Sequence, residues 1–248
     1  IKNSADKHYR VLNLNNPFNE AKTSANHSSL GGYHGAKIKR YQELIENCLS
    51  SNLAEMIGVL QNGSKDLSKF TVINMLNAQY LKFGDQANNV LPNDYAFGNA
   101  WFTENMISVK SPDEELTAVC SLVDKKTTVI NAKKFKSSQS TYDAAAITLE
   151  TYQPNLLKYS INNQNVGFAV FSEIYYPLGW QATVDGIPTE IKQVNYVLRG
   201  LEIPANSQEV VFEFKPAAYF IGNKITAAFS TIVLLILCFG LFKIIPKK

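Results

Sequence analysis

Apolar and polar positions change their rhythm twice along this chain. YRVLNL, from Tyr9, has the β-type residues of a strand, and NNPFNE after it reads as a turn. From Ala36 on, Ile38, Tyr41, Leu44, Ile45, Cys48 and Leu49 recur at three- and four-residue steps. That spacing predicts one apolar face of a helix entered through a Gly-rich loop, with Lys37, Lys39, Arg40, Glu43 and Glu46 on its outer face. A second helical run, Leu53, Met56, Ile57 and Leu60, is ended by Asn62, Gly63 and Ser64, and a third, Leu67 to Leu76, leads into the strand-like AQYLKF. NNVLPNDYAFGNAWF follows as loop and strand, with Gly98 as a break. Ser111, Pro112 and Glu114 then predict a helix start, with Ser as N-cap, Pro at the first helical position and Glu closing a capping box. PDEELTAVCSLVD is that helix, KKTTVINAKKF a strand, and KSSQSTYD a polar link.

Beyond Ala144 the period shortens. ITLETYQ, LLKYSI, VGFAVFSEIYY, WQATVDG, TEIKQV, YVLRGLEI and EVVFEFK are β-rich runs separated by turn residues, the pattern of an antiparallel β-sandwich. Asp185-Gly186 is the sharpest hairpin signal. The last change comes at Ile225 to Phe242, ITAAFSTIVLLILCFGLF, which holds no charge and is followed by Lys243, Lys247 and Lys248. Eighteen helical residues span roughly 27 Å, close to the hydrocarbon thickness of a bilayer. Tyr219 and Phe220 stand where an interfacial aromatic belt belongs, and the lysines mark the cytoplasmic end. The predicted architecture is therefore α+β: an α/β-type layer domain over 1–136, a linker over 137–143, an antiparallel β-sandwich over 144–218, a transmembrane helix over 221–243 and a cytoplasmic tail over 244–248. The α/β layer is expected near the membrane, with the sandwich beyond it.

Composition narrows the function classes. The formal charge of +3 is spread among scattered acids and bases, with no basic stripe, so nucleic-acid binding has no support. Of three cysteines, Cys238 lies in the span. Cys48 and Cys120 fall on apolar runs and read as core thiols, able to pair only if the fold brings them together. The opening stretch lacks a basic n-region and an apolar h-region, so the chain is expected to be the C-terminal piece of a longer membrane protein.

The phrases SLGGYHGAKIKRYQELI, NMLNAQY, GNAWF, ITLETYQPNLLKYS, VFSEIYYPLGWQATVDG, NYVLRGLEIPA and EFKP resemble the C-terminal extracytoplasmic region and last transmembrane helix of the YfhO family of bacterial membrane proteins, in spellings nearest its Bacteroidetes branch. The resemblance implies an inner-membrane protein with its soluble part on the periplasmic side. It also implies likeness to C-type glycosyltransferases, which move a sugar from a polyprenyl-phosphate carrier to an envelope glycan acceptor. In that superfamily the catalytic carboxylate sits in an early outer loop, so the resemblance implies that it lies outside this chain and that this segment shapes the carrier or acceptor site. The alternative is a non-enzymatic, membrane-anchored module binding carbohydrate or protein.

Within the chain, the candidate contacts for a lipid-linked phosphate are His27, Gly31, Gly32, Tyr33, His34, Lys37 and Arg40. A Gly-Gly turn before a helix start offers backbone N–H groups, and the lysine and arginine add positive charge. The two histidines have no acid or thiol nearby in sequence to complete a metal set, and no cofactor is implied. Tyr175, Tyr176 and Trp180 are candidates for stacking on sugar rings, with core filling as the plainer reading. Glu173, Asp185 and Glu190 could be imagined as a hydrolytic pair, but Asp185 reads better as a turn residue and Glu173 as a buried or edge polar group near Tyr175 and Tyr176. Arg199, among apolar neighbours, is expected to pair with Glu173 or Asp185.

Overall fold

The computed structural model describes residues 8–33, 35–86 and 88–244, the last four by their backbone alone. His34, Lys247 and Lys248 lie outside the described residues, as does the tail beyond Ile244. Strand β1 (Arg10–Asn13) is followed by a helical rod made of α1 (Lys39–Leu44), a π-helical turn (Ile45–Leu49) and α2 (Ser50–Gln61). The two helical runs of the sequence thus join, and the π turn absorbs the phase difference between their apolar faces. The third run shortens to α3 (Thr71–Met75), because Asn77 turns left-handed at φ 60°. Then come β2 (Ala78–Lys82), β3 (Val90–Pro92), β4 (Ala100–Thr103), β5 (Asn105–Val109), α4 (Pro112–Cys120) and β6 (Thr127–Asn131). The α4 N-cap is built as the sequence predicts, with Ser111 Oγ accepting from the Glu114 N–H at 3.2 Å, but the Glu114 carboxylate reaches one residue further back than a capping box and accepts from the Lys110 N–H at 2.8 Å.

The β-rich half contributes β7 (Ala146–Gln153), β8 (Leu156–Asn162), β9 (Gly167–Ile174), β10 (Trp180–Val184), β11 (Ile187–Thr189), β12 (Lys192–Val194), β13 (Leu198–Ile203) and β14 (Glu209–Phe214). A five-stranded sheet runs β11-β10-β14-β8-β7, and a six-stranded sheet runs β4-β9-β13-β12-β6-β5. Strands from both sides of the 137–143 link therefore share one sheet. Asp185 and Gly186 take φ 49° and 79° and close the β10–β11 hairpin, as the Asp-Gly pair predicts.

The six-stranded sheet is buried on both faces, which explains why β9 opens on the unbroken apolar run GFAVF. Phe168, Val170 and Leu198 face one core with Leu44, Ile45, Leu49 and Met56 of the helical rod. Ala169, Phe171 and Leu201 face a second core with Tyr159, Val184 and Phe212 of the five-stranded sheet. Tyr159, Phe171 and Phe212 meet edge to face there, with centroids 4.8 to 6.1 Å apart.

One expectation is corrected. Cys48 and Cys120 are not separate core thiols: the rod and α4 pack so that their α-carbons stand 5.5 Å apart, and the two residues form a disulfide. β14 continues through Pro216 directly into α5 (Ala217–Ile244), so the sandwich adjoins α5 along the chain. Residues 217–240 of α5 form a helix long and apolar enough to cross a membrane, with none of it buried against the rest of the protein.

Candidate functional site

A cleft of about 440 Å³ opens where the 28–33 loop, the helical rod and the end of the six-stranded sheet converge. The loop is laid on β1 by hydrogen bonds from the Val11 N–H to the Ser28 carbonyl, 2.8 Å, and from the Leu30 N–H to the Val11 carbonyl, 3.1 Å. It then passes Pro17 so closely that a Cβ at Gly31 would overlap the Pro17 carbonyl oxygen, which is why glycine stands there. The backbone donors of the turn are already engaged: Gly31 to Ser29 Oγ, Gly32 to the Pro17 carbonyl and Tyr33 to the Glu20 carbonyl. The glycines therefore shape the rim, and side chains supply the cleft's free polar groups.

Ile38, Tyr41, Ile45 and Leu76 make an apolar wall, with Tyr33 76 % exposed at the rim. Lys37 also lines the cleft and donates to the Phe18 carbonyl at 2.7 Å. The Tyr41 hydroxyl donates to the Leu30 carbonyl, and burial pushes its pKa up to about 12. At the floor, Arg10 donates to the carbonyls of Leu76 and Ser172 and pairs with Glu173 at 2.7 Å.

Arg199 is the other floor residue, 3 % exposed. Its Nε donates to the Ile174 carbonyl at 3.1 Å, and its guanidinium lies 4.2 Å over the Trp180 ring and 5.5 Å from the Phe212 ring. The expected pairing with Glu173 or Asp185 is not made. Glu173 is held by Arg10, and Asp185 accepts from the N–H groups of Gln208 and Glu209 at 3.0 and 2.8 Å. Those two backbone donors keep the Asp185 pKa below the usual carboxylate range. Among the described residues, Nη1 of Arg199 is buried without an acceptor, and desolvation lowers the arginine's pKa.

The remaining candidates fall elsewhere. His27 lies in a neighbouring shallow hollow, with Nδ1 2.9 Å from the Tyr9 hydroxyl. Arg40 does not line the cleft. It clamps α1 to α4 through Glu115, which is fully buried, at 2.6 Å, and it donates to the Tyr196 carbonyl at 2.9 Å while covering the Tyr196 ring at 4.0 Å. Tyr175, Tyr176 and Trp180 do come together, lining a second hollow of about 560 Å³ with Gln181, Thr183 and Glu190. Trp180 is covered by Arg199 and, at 5.2 Å, by Phe214, so Tyr176, 44 % exposed, offers the freer ring. Sequence reasoning missed Arg10 and Glu173 as cleft residues. Arginine opening a strand of otherwise apolar character was the available signal.

Both hollows lie at one end of the sandwich. Ile174 ends β9, Leu198 and Arg199 begin β13, and Trp180 begins β10 opposite Phe214, the last residue of β14. The Lys215 N–H then bonds the Gly179 carbonyl at 2.6 Å, and α5 starts at Ala217. A family model described as bacterial membrane protein YfhO matches residues 77–226, from β2 to the first turns of α5. The chain belongs to the YfhO family. No curated protein and no solved structure matches it. Membership of a membrane-protein family and the apolar α5 agree, so this YfhO protein is a membrane protein whose cleft end adjoins the candidate span.

Proposed function

We propose that this YfhO-family chain is the outer-face part of a membrane glycosyl-transfer protein, and that its cleft receives the phosphate-bearing end of a polyprenyl-linked sugar or the envelope acceptor. The observation that carries the reading is the cleft itself. It pairs an apolar wall with a cationic floor at the end of the sandwich from which α5 departs, where an amphiphile anchored in the bilayer would present its head. The Cys48–Cys120 disulfide supports an extracytoplasmic position, because such bonds persist in oxidising compartments. The lysines after α5 support a cytoplasmic C-terminus. In this reading the reaction's carboxylate belongs to an early outer loop and not to the residues of this chain.

In cells carrying the complete membrane protein, Tyr33→Ala combined with Lys37→Ala should lower incorporation of labelled sugar into envelope glycan while protein abundance stays constant. Unchanged incorporation would remove the cleft from the reaction. The hollow beside exposed Tyr176 favours a second reading, a non-enzymatic glycan-binding module. Glycan binding by the whole chain, abolished by Tyr176→Ala and indifferent to the cleft variants, would favour it.

A further inference from the structure

At the floor of the cleft two arginines face one carboxylate. Glu173 neutralises Arg10, whose guanidinium also meets two carbonyls. Arg199 is left with a carbonyl at Nε, two aromatic rings, and an Nη1 that has no acceptor among the described residues. Around it stand Glu173, Tyr159, Tyr152 and Arg10 as the electrostatic neighbours, and Glu173 is already spent. A guanidinium keeps its charge and has five donors and no acceptor, and a buried charge of this kind is ordinarily paired. Cation–π contact with two rings offsets only part of the cost of taking a guanidinium out of water. One positive charge therefore remains unanswered at a place that opens into a cavity.

We propose that Arg199 is the anion-recognition residue of the cleft and that its ligand is a phosphate ester. The inference rests on the cleft reading above and names the group that reads the charge. A guanidinium fork matches phosphate oxygens. The neighbouring wall of Ile38, Tyr41, Ile45 and Leu76 and the adjacent start of α5 fit an ester whose other end is hydrocarbon.

Trp180, on which Arg199 lies, is a built-in reporter. The other tryptophan, Trp101, is buried with its Nε1 unpaired among the described residues, so Trp101→Phe leaves a single signal without breaking a hydrogen bond to them. In that background the whole chain in detergent micelles is titrated with geranyl phosphate, inorganic phosphate and geraniol. Geranyl phosphate should change Trp180 emission saturably, at a midpoint at least about tenfold below that of inorganic phosphate, and geraniol should not change it. Arg199→Gln, and Arg199→Lys as the variant that keeps the charge if the first does not fold, should raise the geranyl phosphate midpoint at least about tenfold with unchanged far-UV circular dichroism. Equal midpoints for the two phosphates would support the anion site while removing the lipid-carrier reading. No saturable response to either phosphate, a response to geraniol equal to that of its phosphate, or an unshifted midpoint in Arg199→Lys would overturn the proposal.

Discussion

Arg40 and Arg199 are both arginines laid on an aromatic ring in a mainly buried setting, and they are completed in opposite ways. Arg40 has a carboxylate, a carbonyl and a ring, and Glu115 in turn accepts from the Tyr196 N–H at 3.1 Å. That clamp joins α1, α4 and the 195–196 turn and is closed to further partners. Arg199 has the ring and a carbonyl but no carboxylate, and it lines a cavity. A charge completed inside the fold holds elements together. A charge left incomplete beside open space is suited to something that arrives from outside.

Breaking the clamp should have the largest effect. Arg40→Ala leaves the Glu115 charge buried and unpaired, and should cost about 3–5 kcal/mol in chemical denaturation. Arg199→Met, which removes a charge lacking a carboxylate, should cost under about 1 kcal/mol by the same measurement. Equal losses would erase the contrast.

Removing the disulfide with Cys48→Ser and Cys120→Ser should cost about 4 kcal/mol, since the bond closes a separation of 72 residues in the unfolded chain. This cross-link secures the clamp side, so the variant should lose stability without changing the Trp180 response to phosphate.

Alkaline titration sharpens the comparison further. Burial raises the pKa of Tyr196, in the clamp, and of Tyr41, in the cleft wall, to about 12 in the fold. The ordinary phenol value is near 10, so each contributes stability that is full below about pH 10 and lost as pH rises through about 12. Melting temperature followed over that window should fall less steeply in Tyr41→Phe and in Tyr196→Phe than in the parent.

Gly179→Ala is expected to have a smaller effect than loss of the clamp or of the disulfide. Gly179 has φ 96°, and a Cβ there would come 2.7 Å from the Phe214 ring, so the change should cost about 1–2 kcal/mol. It should disturb the Trp180 signal more than the clamp, because Gly179 ties the β10 end to the start of α5 through Lys215.

Local chemistry made several features legible in advance. Ser111 and Glu114 announced the α4 start, Asp185-Gly186 the hairpin, and the uncharged run from Ile225 the long terminal helix. Features set by distant packing were silent. Cys48 and Cys120 each satisfy their own helix's apolar period, so nothing local says that the two helices meet. The Gly31-Gly32 turn looked like a source of free N–H donors, yet its amides are used by Ser29 and Pro17. Arg199 called for a partner on general grounds, but β1 brings Arg10 to Glu173 first, and that competition lies 163 residues apart in sequence. The merging of the helical runs and the sharing of one sheet across the 137–143 link belong to the same class, because periodicity gives faces and not neighbours.

The central claim is that the Arg199–Trp180 end of the sandwich sits at the bilayer surface, where a lipid headgroup can enter. Fluorescence quenching of Trp180, in the Trp101→Phe protein reconstituted into vesicles of phosphatidylcholine brominated near the carbonyl end of its chains, tests this directly. Strong quenching by the brominated lipid with weak quenching by aqueous iodide is the predicted result; full quenching by iodide and none by the lipid would contradict it.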